Sequence, residues 1–329
     1  MTRLGLGVAA LWLTLIALGA SAPVQAQGFP SKTLTIVVSI GAGTGMDVLA
    51  RIYADKLSAA LGKPVVVENK PGAATMLAAN AVATAPPDGH TLVVLTSSAL
   101  AINPTLYKQI SYDPNRDFIP ISLYVKSPFI LVVNPALPAK TVPELLKHAK
   151  ETSPPLNYAS VGAGGLQHLS MEFTKNRFGL EMTHVPYRNT GQSVSDLAAG
   201  HVALGFVEAG ASIPLIKDGK LRALAVSSST RLPLLPDVPP FSEASGAADY
   251  EAVSWHVLLV PAKTPKEIVD RLHAEMQKIM TAPDIVEKAA NIGLIPIPPP
   301  SVEETSAYIK SEQAKWGALV EKLGLKGTQ

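Results

Sequence analysis

The residues best placed to do chemistry begin at Ser39-Ile40-Gly41-Ala42-Gly43-Thr44-Gly45-Met46-Asp47, between an apolar run at 34–38 and an amphipathic run from Val48. That order reads as strand, glycine-rich turn and helix start. The glycines allow dihedrals and close approaches that a Cβ would block. The helix leaves its first N–H groups unpaired and aims the positive end of its dipole at the turn, which suits a carboxylate or a phosphate. The same residues also fit an ordinary strand–helix turn with Asp47 as N-cap. A second small-residue turn, Val161-Gly162-Ala163-Gly164-Gly165, runs into Leu166-Gln167-His168 and offers another set of backbone N–H groups. His168 is there either a ligand-contacting group or a helix residue packed near its terminus. Thr96 and Ser97 close a third apolar run, and Glu208 closes another at 202–207. The Glu208 carboxylate could receive a ligand ammonium or hydroxyl, or be a solvated loop carboxylate. Tyr187 and Trp255 could wall a cleft or belong to the core.

Other chemistries fail on spacing. A dinucleotide fingerprint from Gly41 needs glycine at Met46, and from Gly43 it needs glycine at Val48; neither is present. There is no P-loop and no G-x-S-x-G elbow. Ser97, His168 and Asp47 can be drawn as a triad, but without an elbow or an oxyanion motif an enzyme is not expected. The chain has no cysteine, which removes disulfides, thiolate nucleophiles and Cys-ligated metals together. The 7 histidines form no H-x-x-x-H or H-E-x-x-H pair, so neither metal nor cofactor is expected. Lys+Arg 28 against Asp+Glu 26, with no basic cluster, argues against nucleic acid.

The elements that must position these residues alternate along the chain. Strands are expected at 34–38, 65–67 and 91–96, with helices at 47–61 and 75–84 between them, which predicts a mostly parallel sheet covered on both faces. Two apolar runs at 119–125 and 129–133 follow. The alternation then restarts: helices at 166–178 and 191–199, strands at 156–160, 182–185, 202–207 and 221–227. Thr141 with Glu144, Thr264 with Glu267 behind Pro265, and Ser301 with Glu304 read as helix starts of the capping-box type. The fold class is therefore α/β, with two lobes of the Venus-flytrap type and a mixed sheet in each. Lobe 1 takes 27–126 plus 251–329, and lobe 2 takes 127–250. Open α/β sheets bind ligands outside the carboxyl ends of their strands, where the turns at 41–45, 96–98 and 161–165 all fall. Upstream, Arg3, the apolar stretch 4–20 and Val24-Gln25-Ala26 read as a cleaved secretory signal at 1–26, and hence as a periplasmic protein.

Several segments, in this order and spacing, resemble the periplasmic solute-binding proteins of tripartite tricarboxylate transporters, the TctC or Bug family. They include Val65-Val66-Val67-Glu68-Asn69-Lys70-Pro71-Gly72-Ala73, Pro87-Asp88-Gly89-His90-Thr91-Leu92 and Ala101-Ile102-Asn103-Pro104-Thr105-Leu106-Tyr107. Others are His184-Val185-Pro186-Tyr187, Gly219-Lys220-Leu221-Arg222-Ala223-Leu224-Ala225-Val226 and Leu235-Pro236-Asp237-Val238-Pro239. The resemblance covers almost the whole chain after the signal. It implies a bilobal, monomeric receptor that closes on a small organic acid (a dicarboxylate, an amino acid or an aromatic acid). Its partner would be a membrane permease or a sensor kinase ectodomain. It also implies that the ligand carboxylate is held by two loops, Gly43 to Asp47 with Thr44 as side-chain donor, and Ser160 to His168 with Ala163, Gly164 and Gly165. The chain departs from the family pattern inside those loops, at Ser39, Ile40, Thr44 and Gly165, and again at Arg188-Asn189 and Glu208.

Overall fold

The computed structural model describes residues 28–248 and 250–329. The expected signal segment lies outside them. The first half runs β1 (Leu34–Val38), α1 (Gly45–Leu61), β2 (Val65–Asn69), α2 (Met76–Ala83), β3 (Thr91–Thr96), α3 (Asn103–Leu106) and β4 (Phe118–Ser127). The chain continues through β5 (Phe129–Val133), α4 (Val142–Glu151), β6 (Asn157–Ser160), α5 (Leu166–Phe178), β7 (Thr183–Pro186) and α6 (Thr190–Ala199). Then come β8 (Leu204–Glu208), α7 (Ala209–Lys217), β9 (Arg222–Val226) and α8 (Phe241–Ser245). The last stretch is β10 (Ser254–Pro261), α9 (Lys266–Met280), α10 (Pro283–Asn291), β11 (Ile295–Pro296) and α11 (Val302–Lys322).

These strands make two sheets, a 6-stranded one ordered β11-β4-β10-β3-β1-β2 and a 5-stranded one ordered β7-β6-β8-β5-β9. Both are mixed. In the first, β1 is parallel to β2 and β3, while β10 enters antiparallel between β3 and β4. In the second, β6 is parallel to β7 and β8, while β5 runs antiparallel to β8 and β9. The change of sheet happens at one residue, Pro128, between β4 and β5. Proline has no N–H to donate, so a ladder breaks there naturally. The return crossing is tied to the same point: Ser227 donates its N–H to the Phe129 carbonyl at 2.8 Å, and its Oγ accepts the Phe129 N–H at 2.9 Å.

Alternation along the strands sets the two faces of the larger sheet. Ile36, Val38, Val94 and Leu258 join Leu49, Leu57 and Leu272 of α1 and α9 in one apolar cluster. Val37, Val93, Leu95 and Val257 join Ala79 and Val82 of α2, and Ile309 and Trp316 of α11, in another. α11 is fastened by a carboxylate. Glu312 Oε2 accepts the indole N–H of Trp255 at 3.0 Å and that of Trp316 at 2.9 Å, with both rings buried.

The helix starts divide. Ser301 and Glu304 form a full capping box. At α9 the expected box is absent: Pro265 is the N-cap, and the Thr264 hydroxyl donates to the Pro261 carbonyl at 2.8 Å. Asp47 is not the N-cap of α1 either. Thr44 holds that place and Asp47 lies three residues inside.

Because one oxygen serves two buried donors, Glu312→Ala is expected to lower stability by about 3 kcal/mol, the cost of orphaning both indoles. Glu312→Gln, which keeps an acceptor oxygen, should cost less than half as much, read from denaturant midpoints at constant m-value.

Candidate functional site

A cavity of about 480 Å³ opens where the two sheets meet. One wall is the turn after β1, through Ile40, Gly43, Thr44, Gly45 and Met46, with His256 of β10 and Asn291 to Leu294 beyond α10. The other wall comes from the 5-stranded sheet: Glu208 at the end of β8, Gly210, Ala211 and Pro214 of α7, and Thr190 with Gly191 at the start of α6. Ser127, just before the change of sheet, lies at the bottom of the same space.

The turn is shaped by Asp47. Its buried carboxylate accepts the Gly43 N–H at 2.9 Å, the Asn69 side-chain amide at 2.9 Å and Arg51 Nε at 3.2 Å, and Arg51 also pairs with it at 3.0 Å. Asn69 donates in addition to the Ile40 carbonyl at 3.1 Å. Burial alone would push the Asp47 acid up, but hydrogen bonds from Arg51, Gly43 and Asn69 and the Arg51 charge hold it below its ordinary value. The reach back from Asp47 requires Gly43 at φ +80, where a Cβ would be strained. The Thr44 hydroxyl is also committed, donating to the Gly41 carbonyl at 3.0 Å and accepting the Asp47 N–H at 3.4 Å. The first backbone N–H groups of α1, at Gly45 and Met46, have no intrahelical partner, and both residues line the cavity. The arrangement can therefore hold an anion through backbone dipoles, with the Thr44 hydroxyl as frame.

Of the sequence-predicted residues, Gly43, Thr44, Gly45, Met46 and Glu208 line the cavity, and Asp47 supports its wall. Thr96 and Ser97 do not line it. β10 runs antiparallel beside β3, pairing Thr96 with His256, and Ser97 Oγ lies 3.2 Å from Ser254 Oγ in the interior. The second turn is not part of the wall either. Ser160 and Ala163 to Gly165 lie beside α3, where a Cβ on Gly164 would come within 1.9 Å of Leu106. That turn is organised from within: the Val161 N–H donates to Gln167 Oε1 and the Gly164 N–H to His168 Nδ1, both at 3.0 Å. His168 stacks on His184, and burial lowers its basicity. Ser97, His168 and Asp47 thus have separate partners and assemble no triad.

A serine–histidine contact exists elsewhere, between Ser160 Oγ and His184 Nε2 at 2.6 Å. Ser160 has one proton, and the Gly162 carbonyl at 3.0 Å accepts it when His184 Nε2 is the donor. Among the described residues no carboxylate orients the His184 ring, so the pair locks the turn and lacks the third member of a triad. No cluster of metal-ligating side chains is present among the described residues.

Sequence reasoning missed His256, Ser127, Thr190 and the Asn291–Leu294 segment. His256 could have been flagged as the one basic residue in the apolar run 253–260. It is 3% exposed, and its Nδ1 is enclosed without a hydrogen-bond partner. Burial lowers its pKa to about 3. Glu208 is half-buried, has no ion-pair partner among the described residues, and is raised above its ordinary pKa by desolvation.

The sign of the pH response follows. An unfolded histidine binds a proton near pH 6.5 and His256 in the fold only near 3, so between those values the unfolded chain holds more protons. Stability should fall as pH drops from 6.5 towards 3, with a slope of up to about 1.4 kcal/mol per pH unit from this group. His256→Gln should flatten that part of a midpoint-against-pH curve. An unchanged slope would show that the histidine is not held neutral.

Comparison with known proteins agrees with this architecture. Residues 49–325 match the model of TctC, the tripartite tricarboxylate transporter family receptor. The chain is 36% identical over 303 residues to the UPF0065 protein in the tcbD-tcbE intergenic region of Pseudomonas sp. (strain P51), covering 92% of this chain and 90% of that one. It is 32% identical over 327 residues to BugT of Bordetella pertussis, covering 99% of each. Among solved structures, a R. palustris protein with adipate superposes with TM-score 0.83 at 33% identity, over 90% of this chain and 98% of that one. The periplasmic binding protein BugD gives 0.82 at 30%, over 91% and 99%. MatC from Rhodopseudomonas palustris with bound malate gives 0.78 at 29%, over 89% and 100%. With its two mixed sheets, its cavity between them and a family match over most of its length, this chain belongs to the TctC family of tripartite tricarboxylate transporter receptors.

Proposed function

We propose that this chain is a periplasmic solute-binding protein that captures a small organic acid in the cavity between two lobes, 27–126 plus 251–329 and 127–250, and presents it to a membrane permease. The observation that carries the reading is the cavity itself, walled on one side by the start of α1 with Thr44 as its N-cap and on the other by Glu208 and the starts of α6 and α7. Backbone N–H groups at a helix start meet a carboxylate with little desolvation of protein charge. The solved relatives with adipate and malate show that this fold holds such acids. The second turn contributes after closure: Leu166 to Gln167 begin α5 without a side-chain cap, which leaves a further set of N–H donors. No helix of the described residues is long and apolar enough to cross a membrane, which accords with an exported receptor.

Calorimetric titration of the purified protein against linear mono- and dicarboxylic acids tests the reading, with solution scattering to follow closure. Binding with a smaller radius of gyration is the expected result; neither binding nor compaction with any acid would overturn it. Gly164→Ala gives a second check. Its Cβ would collide with Leu106, and its φ of +77 disfavours any side chain. The second turn should be pushed off α3, with acid affinity reduced about tenfold, equivalent to about 1.4 kcal/mol.

A further inference from the structure

His256 sits on the cavity wall in a position that packing alone does not explain. It lies in β10 among Trp255, Val257, Leu258 and Leu259, all buried, and the ring shares a sheet face with Tyr124, whose centroid is 6.0 Å away. Neither ring nitrogen has a hydrogen-bond partner among the described residues, and of the two only Nδ1 is sealed from solvent. A buried orphan N–H costs more than an orphan lone pair, so the proton belongs on Nε2, and the ring's accessible edge lines the cavity. Glu208 faces the same space from the other sheet with no partner of its own. The two are related by topology: His256 pairs with Val125 and Glu208 with Phe129, four residues further along the chain that changes sheets. Those two pairing partners are at most about 13 Å apart along the chain, which brings the ends of β10 and β8 to the same cavity, lined by both His256 and Glu208.

We infer that His256 is a specificity-determining residue that donates an Nε2–H hydrogen bond to an uncharged oxygen of the ligand, remote from the carboxylate held at α1. This rests on the organic-acid reading above and narrows it to hydroxyl-bearing monocarboxylates. A second carboxylate beside His256 would repel an ionised Glu208, and no Lys or Arg lines the cavity among the described residues to offset that repulsion. A ligand ammonium would satisfy Glu208 but leave the His256 N–H unpaired. A hydroxyl serves both: it accepts from His256 and donates to Glu208, whichever protonation state that carboxyl holds.

The test is a titration series of linear acids of four to eight carbons, each as the plain acid, the ω-hydroxy acid, the ω-amino acid and the dicarboxylate. At the best-fitting length the wild-type protein should bind the hydroxy acid about tenfold more tightly than the other three. His256→Phe, which keeps a ring but no donor, should reduce the ratio of hydroxy to plain acid to about one. His256→Gln, which keeps an N–H donor, should restore a several-fold preference, and it also serves if the phenylalanine variant fails to fold. Equal binding of plain and hydroxy acids, tightest binding of the dicarboxylate or amino acid, or a ratio that survives His256→Phe would overturn the inference while leaving the organic-acid reading intact. If no acid of any length binds, both fall together.

Discussion

The first wall of the cavity depends on one buried carboxylate. Asp47 draws the Gly43 N–H, the Asn69 amide and the Arg51 guanidinium to a single point, and Asn69 then fixes the Ile40 carbonyl. A glycine-rich turn left to itself would sample many conformations, because its residues lose the most freedom on ordering. Four charge-assisted contacts offset that loss. The outcome for a ligand is indirect: Asp47 touches nothing in the cavity, yet it decides where the Gly45 and Met46 N–H groups point. Its negative charge at the start of α1 would repel an anion if it were free. Pairing with Arg51 largely neutralises it, so the helix dipole remains the dominant local field.

The second constraint is the crossing between the sheets. Pro128 and the Ser227–Phe129 bonds bring both connections to one place, so the ends of β4, β5, β8 and β10 are neighbours whatever the side chains do. This is why residues as distant in sequence as Ser127, Glu208 and His256 line one cavity. It also explains the absence of Thr96 and Ser97. In a purely parallel sheet the end of β3 would open onto the ligand, as the sequence pattern implied. Here antiparallel β10 pairs alongside it, with His256 opposite Thr96, and His256 is the one that lines the cavity.

Much of the architecture was legible beforehand because its signals are local. Apolar runs such as 34–38, 91–96 and 129–133 became strands with the same limits. The Ser301–Glu304 box formed, while Thr264–Glu267 did not, since Thr264 turned to the Pro261 carbonyl. The site was legible only in part. Gly43 to Met46 and Glu208 lie at strand ends, where local pattern and position coincide. His256 lies inside a buried strand, and its place on the cavity wall comes from which strand pairs with which, a non-local property. The turn at 161–165 was read as a small-residue turn, but its placement beside Leu106 depends on the packing of the two halves against each other.

The absence of a cationic side chain among the described residues that line the cavity has a physical logic. A buried arginine would bind a carboxylate tightly, but the empty site would then carry an uncompensated charge whose desolvation costs several kcal/mol. Backbone dipoles at α1 are present at no such cost, a neutral imidazole adds polarity without fixed charge, and desolvation raises the Glu208 carboxyl above its ordinary pKa. A site built this way carries no buried cation to desolvate when it is empty. Reversible capture benefits from that, because a ligand held by a deep electrostatic well would leave slowly. Selectivity must then come from shape and from a few hydrogen bonds, which places the discriminating power on the unpartnered groups of the wall.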